Sequence, residues 1–188
     1  MTLRFLVLMV LSIVFLTDCN HKTDDTSMFK SKRVSKTAEI VVNTTPDKAF
    51  PLFGPIEEKK WAHGWDPEIL FPPNAVAEEG MVFRTKAHGH GHDEQDFTWV
   101  ITKYVKDEML IVYSVYTHQR VWFITIQCAG TNDGKTKARI SYAYTGLTDE
   151  GNARNEAAIA QMYRQDLKDW EKAINYFLET GKTLIEGH

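Results

Sequence analysis

The stretch TKARISYAYTGLTDEGNARNEAAIAQMYRQDLKDWEKAINYFLET, residues 136–180, contains the two patterns that decide the fold. In 136–145 apolar and polar side chains alternate, which is typical of a strand with one solvated face. The face predicted to be apolar comprises Ala138, Ile140, Tyr142 and Tyr144. From Asn152 to Thr180 apolar residues recur with a period near 3.6, which predicts one long helix. Its apolar face comprises Ile159, Tyr163, Leu167, Trp170, Ile174 and Phe177.

Upstream of this stretch, runs of β-branched and aromatic residues are separated by short polar connectors. Tight turns between sequential runs of this kind predict an antiparallel meander. A short helix is expected from Thr45-Pro46, and a second one over 56–61, followed by a loop over 61–74. The sequence predicts an α+β fold in which a curved antiparallel sheet wraps around the long C-terminal helix. The remaining strands are predicted at 37–43, 81–87, 96–105, 109–116 and 120–128.

The first 18 residues predict a signal peptide of the lipoprotein type. Leu3–Leu16 is almost unbroken apolar sequence and carries one early charge, Arg4. This run is shorter than the roughly 20 residues that span a bilayer and fits a secretory h-region. The following LTDC, residues 16–19, is similar to a lipobox except at Asp18. We therefore expect Cys19 to be lipidated, with an uncleaved anchor and plain secretion as the alternatives.

These features divide the chain into four parts and predict where the protein is found. After the signal peptide, residues 19–36 are polar and predict a tether, 37–182 form the domain, and 183–188 are a tail. A lipidated N-terminus places the protein in the bacterial cell envelope, anchored to the membrane and facing the periplasm or exterior. Cys128 then has no disulfide partner within the chain, and we expect it to be a small buried hydrophobe.

Composition excludes several functional classes. The 188 residues are 43% hydrophobic and carry 22 Lys and Arg against 25 Asp and Glu, a net charge of -3. A chain without a basic excess is not expected to bind nucleic acid. The sequence contains no nucleophile elbow, no His-Glu-x-x-His, no P-loop and no dinucleotide fingerprint, and we expect no cofactor.

Several short motifs add a resemblance to a known family. They are TP at 45–46 with AF at 49–50, WAHGWDP at 61–67, GMVFRT at 80–85, and LT at 147–148 with GN at 151–152. With the element order, they resemble a bacterial branch, of unassigned function, of the helix-grip superfamily called SRPBCC. This superfamily includes START lipid-transfer domains, birch-pollen-allergen-like proteins and polyketide cyclases. The resemblance implies a helix-grip domain over roughly 37–180, and no set of catalytic residues is carried over with it.

A sheet gripped by a long helix leaves room for a cavity, and aromatic residues are available to line it. We expect an apolar ligand cavity of a few hundred Å³. Its walls and entrance are predicted at Trp61, His63, Trp65, Trp99, Tyr113, Trp122, Tyr142, Tyr163 and Trp170. The first hypothesis is a non-catalytic binding or carrier protein for a small apolar or amphipathic molecule. The alternatives are an enzyme of polyketide cyclase or hydrolase type, and an interaction domain with a filled core.

The string HGHGH, residues 88–92, is the most unusual feature of the sequence. In an extended chain the side chains of His88, His90 and His92 share one face, and three imidazoles can bind zinc. The alternating glycines favour instead a solvent-exposed turn between strands, so a metal site here is the less favoured interpretation.

Overall fold

The computed structural model describes residues 28–86 and 96–185. In these residues, seven strands form one antiparallel sheet in the order β1-β7-β6-β5-β4-β3-β2. The strands are β1 Arg33–Val42, β2 Glu68–Phe71, β3 Val82–Lys86, β4 Asp96–Val105, β5 Leu110–Tyr116, β6 Arg120–Gly130 and β7 Thr136–Gly146. The helices are α1 Pro46–Ala49, the 3-10 helices Phe50–Phe53 and Glu57–Lys60, α2 Asp149–Met162 and α3 Lys168–Thr180.

The core lies between one face of the curved sheet and the helices. The predicted alternation in β7 is confirmed, since Ala138 and Ile140 are fully buried and Tyr142 and Tyr144 are 4% exposed. Strands β5 and β6 are buried on the same alternate pattern. The α+β helix-grip architecture predicted from the sequence is therefore present.

The predicted single helix over 152–180 is wrong, because the chain forms two helices with a break between them. Helix α2 ends at Met162, and Asp166 and Leu167 both adopt left-handed backbone conformations before α3 begins. Tyr163 and Leu167 are both buried at this break, with exposures of 2% and 1%. A left-handed conformation costs roughly 1–2 kcal/mol for a residue with a side chain. Burial of these two side chains offsets that cost, so the chain turns here without a glycine or proline.

The first strand begins earlier than predicted. β1 starts at Arg33 and pairs with β7 from Arg33↔Thr145 onward, so residues 33–36 belong to the sheet and not to the predicted tether. The pairing continues upstream, where the Asn152 side chain accepts from the Lys32 amide at 2.8 Å and donates to the Lys30 carbonyl at 3.0 Å. Backbone pairing of this kind needs few apolar residues. The polar composition of this segment therefore predicted a tether where the chain forms a strand.

The predicted loop over 61–74 contains a strand. β2 pairs with β3 at the outer edge of the sheet, between Pro67 and Pro72. A four-residue edge strand satisfies few backbone groups and carries little periodic signal, so the Trp-, Gly- and Pro-rich composition dominated the prediction.

The N-terminal predictions concern residues outside this description. The signal peptide 1–18 and Cys19 lie outside the described residues, as do His88, His90 and His92. Within 28–86 and 96–185, no helix has both the length and the apolar character needed to cross a membrane.

Candidate functional site

An inner cavity of about 200 Å³ lies between the sheet and the helices. Strands β3 to β7 supply one side of it, and the opposite side comes from α2, α3 and the segment around Glu57–Lys60. The lining residues are Glu58, Trp65, Phe83, Trp99, Tyr113, Ile124, Ile126, Tyr142, Met162 and Trp170. Six of these ten side chains are aromatic, so the walls present mainly ring surface.

Contacts between the rings hold the outer wall of the inner cavity in place. The Phe83 and Trp99 rings stack with centroids 5.4 Å apart, and Trp65 meets Trp99 edge-on at 5.3 Å. Both indole N–H groups are already used: Trp99 donates to the Thr85 hydroxyl at 2.9 Å and Trp65 to the Pro55 carbonyl at 2.8 Å. Since these donors are satisfied within the protein, the two indoles offer a ligand their π surfaces and not their N–H groups.

The helical wall of the inner cavity is built around Trp170. Its ring lies 5.5 Å from that of Trp61 and 6.5 Å from that of Tyr142. Trp61 is itself buried and donates to the Leu52 carbonyl at 2.7 Å, so the 3-10 segments support the ring from behind. Trp170 remains half-buried because part of its surface faces the cavity.

Among the described residues that line the inner cavity, Glu58 is the one carboxylic acid. The residue is half-buried as a whole, because the helix Glu57–Lys60 runs along the surface, but its side chain points inward. Burial raises the pKa of the Glu58 carboxyl from its ordinary value of 4.5 to about 8. In the part of the chain that the structure describes, the carboxyl has no hydrogen-bond or ion-pair partner. Glu58 is therefore largely protonated in the empty cavity at neutral pH.

Two tyrosines lie near Glu58 but differ in their hydrogen bonding. Tyr113 donates its hydroxyl proton to the Phe53 carbonyl at 2.6 Å. The Tyr142 hydroxyl makes no hydrogen bond to the described residues and lines the inner cavity. Burial, followed by the charge of Glu58 and neighbouring tyrosines, raises the pKa of both phenols well above 10. Both tyrosines stay neutral at any physiological pH, and Glu58 and Tyr142 are the polar groups available to a ligand.

A second, outer pocket of about 470 Å³ adjoins the inner cavity. Trp65 and Trp99 line both spaces, so these two rings form the partition between them. The outer pocket is lined by charged side chains of both signs as well as aromatic ones. They are Asp66, Glu68, Arg84, Lys86 and Asp96, of which Glu68 and Arg84 pair at 3.6 Å. A ligand that reaches the inner cavity from this side passes from a charged rim to an aromatic interior.

The structure brings together five of the nine residues predicted to contact a ligand. Those that line the inner cavity are Trp65, Trp99, Tyr113, Tyr142 and Trp170. The other four lie elsewhere. His63 is exposed, and Trp61 is buried behind Trp170.

The remaining two predicted residues, Trp122 and Tyr163, are packed into the core next to the inner cavity. Trp122 stacks on Tyr144 at 5.4 Å and has the Arg120 guanidinium over its ring at 4.9 Å. The Tyr163 hydroxyl bridges neighbouring backbone groups of β7, since it donates to the Ile140 carbonyl and accepts from the Tyr142 amide, both at 3.2 Å. These contacts give both side chains a structural role.

Sequence reasoning missed Glu58, which lies in the charged run EEKK at 57–60. Such a run normally marks a solvated face. A signal was nevertheless present, because residues three apart share one face of a 3-10 helix and Trp61 follows Glu58 by three. The burial of Trp61 directs Glu58 inward, whereas Glu57 pairs with Lys60 at the surface.

The other chemically interesting side chains carry no site in the described residues. Cys128 is a free, buried cysteine, and burial raises the pKa of its thiol to about 12, which makes it a poor nucleophile. Within 28–86 and 96–185, no three His, Cys, Asp or Glu side chains are grouped closely enough to bind a metal ion.

Comparisons with known proteins identify the fold. No protein-family model matches the chain, and no curated protein sequence does. Among solved structures, norcoclaurine synthase from Thalictrum flavum, in complex with dopamine and hydroxybenzaldehyde, aligns with a TM-score of 0.60 and 14% identity over 82% of this chain and 91% of that one. The protein Ara h 8.0201 aligns with a TM-score of 0.57 and 16% identity, covering 79% of this chain and 99% of its own. The Mll3558 protein from Rhizobium loti aligns with a TM-score of 0.55 and 17% identity, covering 77% and 99%.

The matched structures share an architecture with this chain, although their sequences have diverged. The chain has the helix-grip fold of these structures, which is the fold predicted from its motifs and element order. Proteins of this fold often bind ligands, and the fold is also used by enzymes. Function therefore has to be argued from the cavity itself.

Proposed function

We propose that the protein binds and carries a small amphipathic ligand in the inner cavity. The observation that supports this proposal is a space of about 200 Å³ with aromatic walls and a single acidic group. Ligand sites typically combine a largely apolar surface with a few placed polar groups, and typical volumes begin near 300 Å³. The inner cavity is below that range, which favours a small molecule or one that extends past Trp65 and Trp99 into the outer pocket.

We further propose that this binding domain is tethered to the bacterial envelope through a lipid on Cys19. The apolar run 3–16 and the lipobox-like LTDC that follows it support this location. In the native host, Cys19→Ser should abolish labelling by a fatty-acid analogue and leave an uncut precursor. Persistent labelling of the variant, or a mature protein that starts elsewhere, would reject the lipid anchor.

Native mass spectrometry of the protein purified from its own host tests the carrier proposal. We expect a co-purified small molecule in the wild-type protein. Ile126→Phe adds a ring to the lining of the cavity and should prevent its retention. Thr125→Phe is the matched control, because the neighbouring residue on β6 lies on the opposite face of the sheet. Equal ligand content in both variants would show that the molecule is held elsewhere.

A specific observation also supports an enzyme as the second candidate function. Glu58 has a pKa of about 8 and lines the same cavity as the Tyr142 hydroxyl, which makes no hydrogen bond to the described residues. A group of this pKa accepts or releases a proton readily near neutral pH, as general acid–base catalysis requires. An enzyme would convert the bound molecule to a product, and Glu58→Gln would abolish this conversion while binding persisted. A carrier returns the ligand unchanged.

A further inference from the structure

We propose that the ligand carries an organic ammonium group, held by the Glu58 carboxylate against the aromatic walls of the inner cavity. This inference rests on the carrier proposal above and specifies the chemistry of the ligand's polar end. It predicts a small cationic amphiphile and excludes fatty acids and other anions.

The charges around the inner cavity give the first argument. Its lining contains one acid and no Lys, Arg or His among the described residues. Tyr113 and Tyr142 are the other titratable groups in the lining, and both stay neutral. An anionic ligand would find no positive partner and would face the carboxyl of Glu58. A cation would meet the one group able to neutralise it in a medium of low dielectric constant.

The missing partner of Glu58 gives the second argument. Buried polar side chains are nearly always hydrogen-bonded or paired, and an unpaired one lowers stability. Glu58 has no such partner in the described residues, although Lys59 and Lys60 are the next two residues in the sequence. Those two lysines point outward and pair with Asp66 at 2.7 Å and with Glu57 at 2.5 Å. The carboxyl is thus separated from these two lysines and remains available to a ligand.

The walls give the third argument. Cations are attracted to the faces of Trp, Tyr and Phe rings, most strongly when they are desolvated. Six rings line this cavity, and the N–H groups of Trp65 and Trp99 are committed elsewhere. A neutral ligand could instead accept a hydrogen bond from protonated Glu58, but it would not gain the additional attraction that ring faces exert on a cation. The aromatic lining therefore favours the cation.

Cation binding makes affinity depend on pH in a predictable direction. In the empty cavity below pH 8, Glu58 holds a proton, and pairing with an ammonium group releases that proton to solvent. The affinity for a cation should therefore rise with pH, about tenfold per unit, until it levels off near pH 8. The affinity for a neutral acceptor, which needs the protonated acid, would instead stay constant below pH 8 and fall above it.

The test compares benzyltrimethylammonium, which has a fixed charge, with its uncharged carbon isostere neopentylbenzene, by quenching of tryptophan fluorescence. In the wild-type protein, the cation's affinity should rise about tenfold from pH 6 to 7, while the isostere's affinity stays constant. At pH 8, Glu58→Gln should lower the affinity for the cation at least tenfold and leave the affinity for the isostere unchanged. The matched control Glu57→Gln, at the surface, should change neither.

The outcomes separate this inference from the carrier proposal. If the isostere binds at least as well as the cation at pH 8, or Glu58→Gln leaves cation binding intact, the ammonium inference fails and the carrier proposal stands. An affinity for the cation that stays constant or falls between pH 6 and pH 8 would overturn the inference too. If neither compound binds and no ligand co-purifies, both proposals fail. The pH series on the wild-type protein distinguishes these outcomes even if the variant does not fold.

Discussion

Glu58 should make the stability of the folded protein depend on pH, with a sign opposite to that of a salt-bridged acid. An acid whose pKa is raised by folding keeps its proton in the native state while the unfolded chain has already lost it. Unfolding then releases a proton, so stability falls as pH rises between the two pKa values. For Glu58 this window runs from the ordinary value of 4.5 to about 8.

The size of the effect follows from the width of that window. Each pH unit within it lowers the free energy of unfolding by about 1.4 kcal/mol. Over the whole window Glu58 should remove about 5 kcal/mol of stability, of which about 3 kcal/mol is already lost at pH 7. Glutamine keeps the shape of the protonated acid and cannot ionise. Glu58→Gln should therefore be close to the wild-type protein at pH 5 and about 3 kcal/mol more stable at pH 7.

Urea unfolding followed by tryptophan fluorescence at pH 5, 6, 7 and 8 measures these free energies directly. Glu57→Gln is the control, because Glu57 occupies the same 3-10 helix but pairs with Lys60 at the surface. Its free energy of unfolding should stay within about 1 kcal/mol of the wild-type value at every pH, because exposed ion pairs contribute little to stability. A Glu58→Gln difference that does not grow with pH, or a variant less stable than wild type at pH 8, would refute the inward, desolvated position of this carboxyl.

Three further predictions test the packing of the domain. Ile174→Ala, at a fully buried position of α3, should cost about 3 kcal/mol in urea unfolding, whereas Glu179→Gln at an exposed position of the same helix should cost under about 0.5 kcal/mol. Thr148→Ala removes the hydroxyl that accepts from the Gly151 amide at 3.0 Å at the start of α2 and should lower thermal stability by about 1 kcal/mol. Cys128, with its pKa of about 12, should resist iodoacetamide at pH 8 until the protein is unfolded, as read by peptide mass spectrometry; alkylation of native protein would contradict its burial.

Elements that depend on local pattern could be predicted from the sequence. The extent of β4, Asp96–Val105, follows from its run of β-branched and aromatic residues, and the buried face of β7 follows from period-two alternation. The break between α2 and α3 could not be predicted in this way. It contains neither glycine nor proline, and the left-handed Asp166 and Leu167 are stable there because of contacts with the distant sheet. Tertiary packing overrode a continuous helical pattern.

The candidate site could also be predicted only in part from the sequence. Five of the aromatic residues that line the inner cavity were predictable, since large rings on inward strand positions and on the C-terminal helix have few other places to pack. The distinction between lining a cavity and filling the core was not predictable, because Trp122 and Tyr163 have the same inward direction as Trp99 and Tyr142. Glu58 depends on the orientation of one short 3-10 helix, which composition does not encode.

The hydrogen bonds from Asn152 to Lys30 and Lys32 define where the chain can be trimmed. This amide is 7% exposed, and both its oxygen and its nitrogen bond to the backbone just ahead of β1. Shortening the protein to the first strand residue, Arg33, would remove both partners of this amide at the start of α2. Each lost hydrogen bond costs about 0.5–1.5 kcal/mol. A recombinant domain designed from strand boundaries alone would thus be weakened at a helix that is more than a hundred residues away in sequence, and one that starts at or before Lys30 would not.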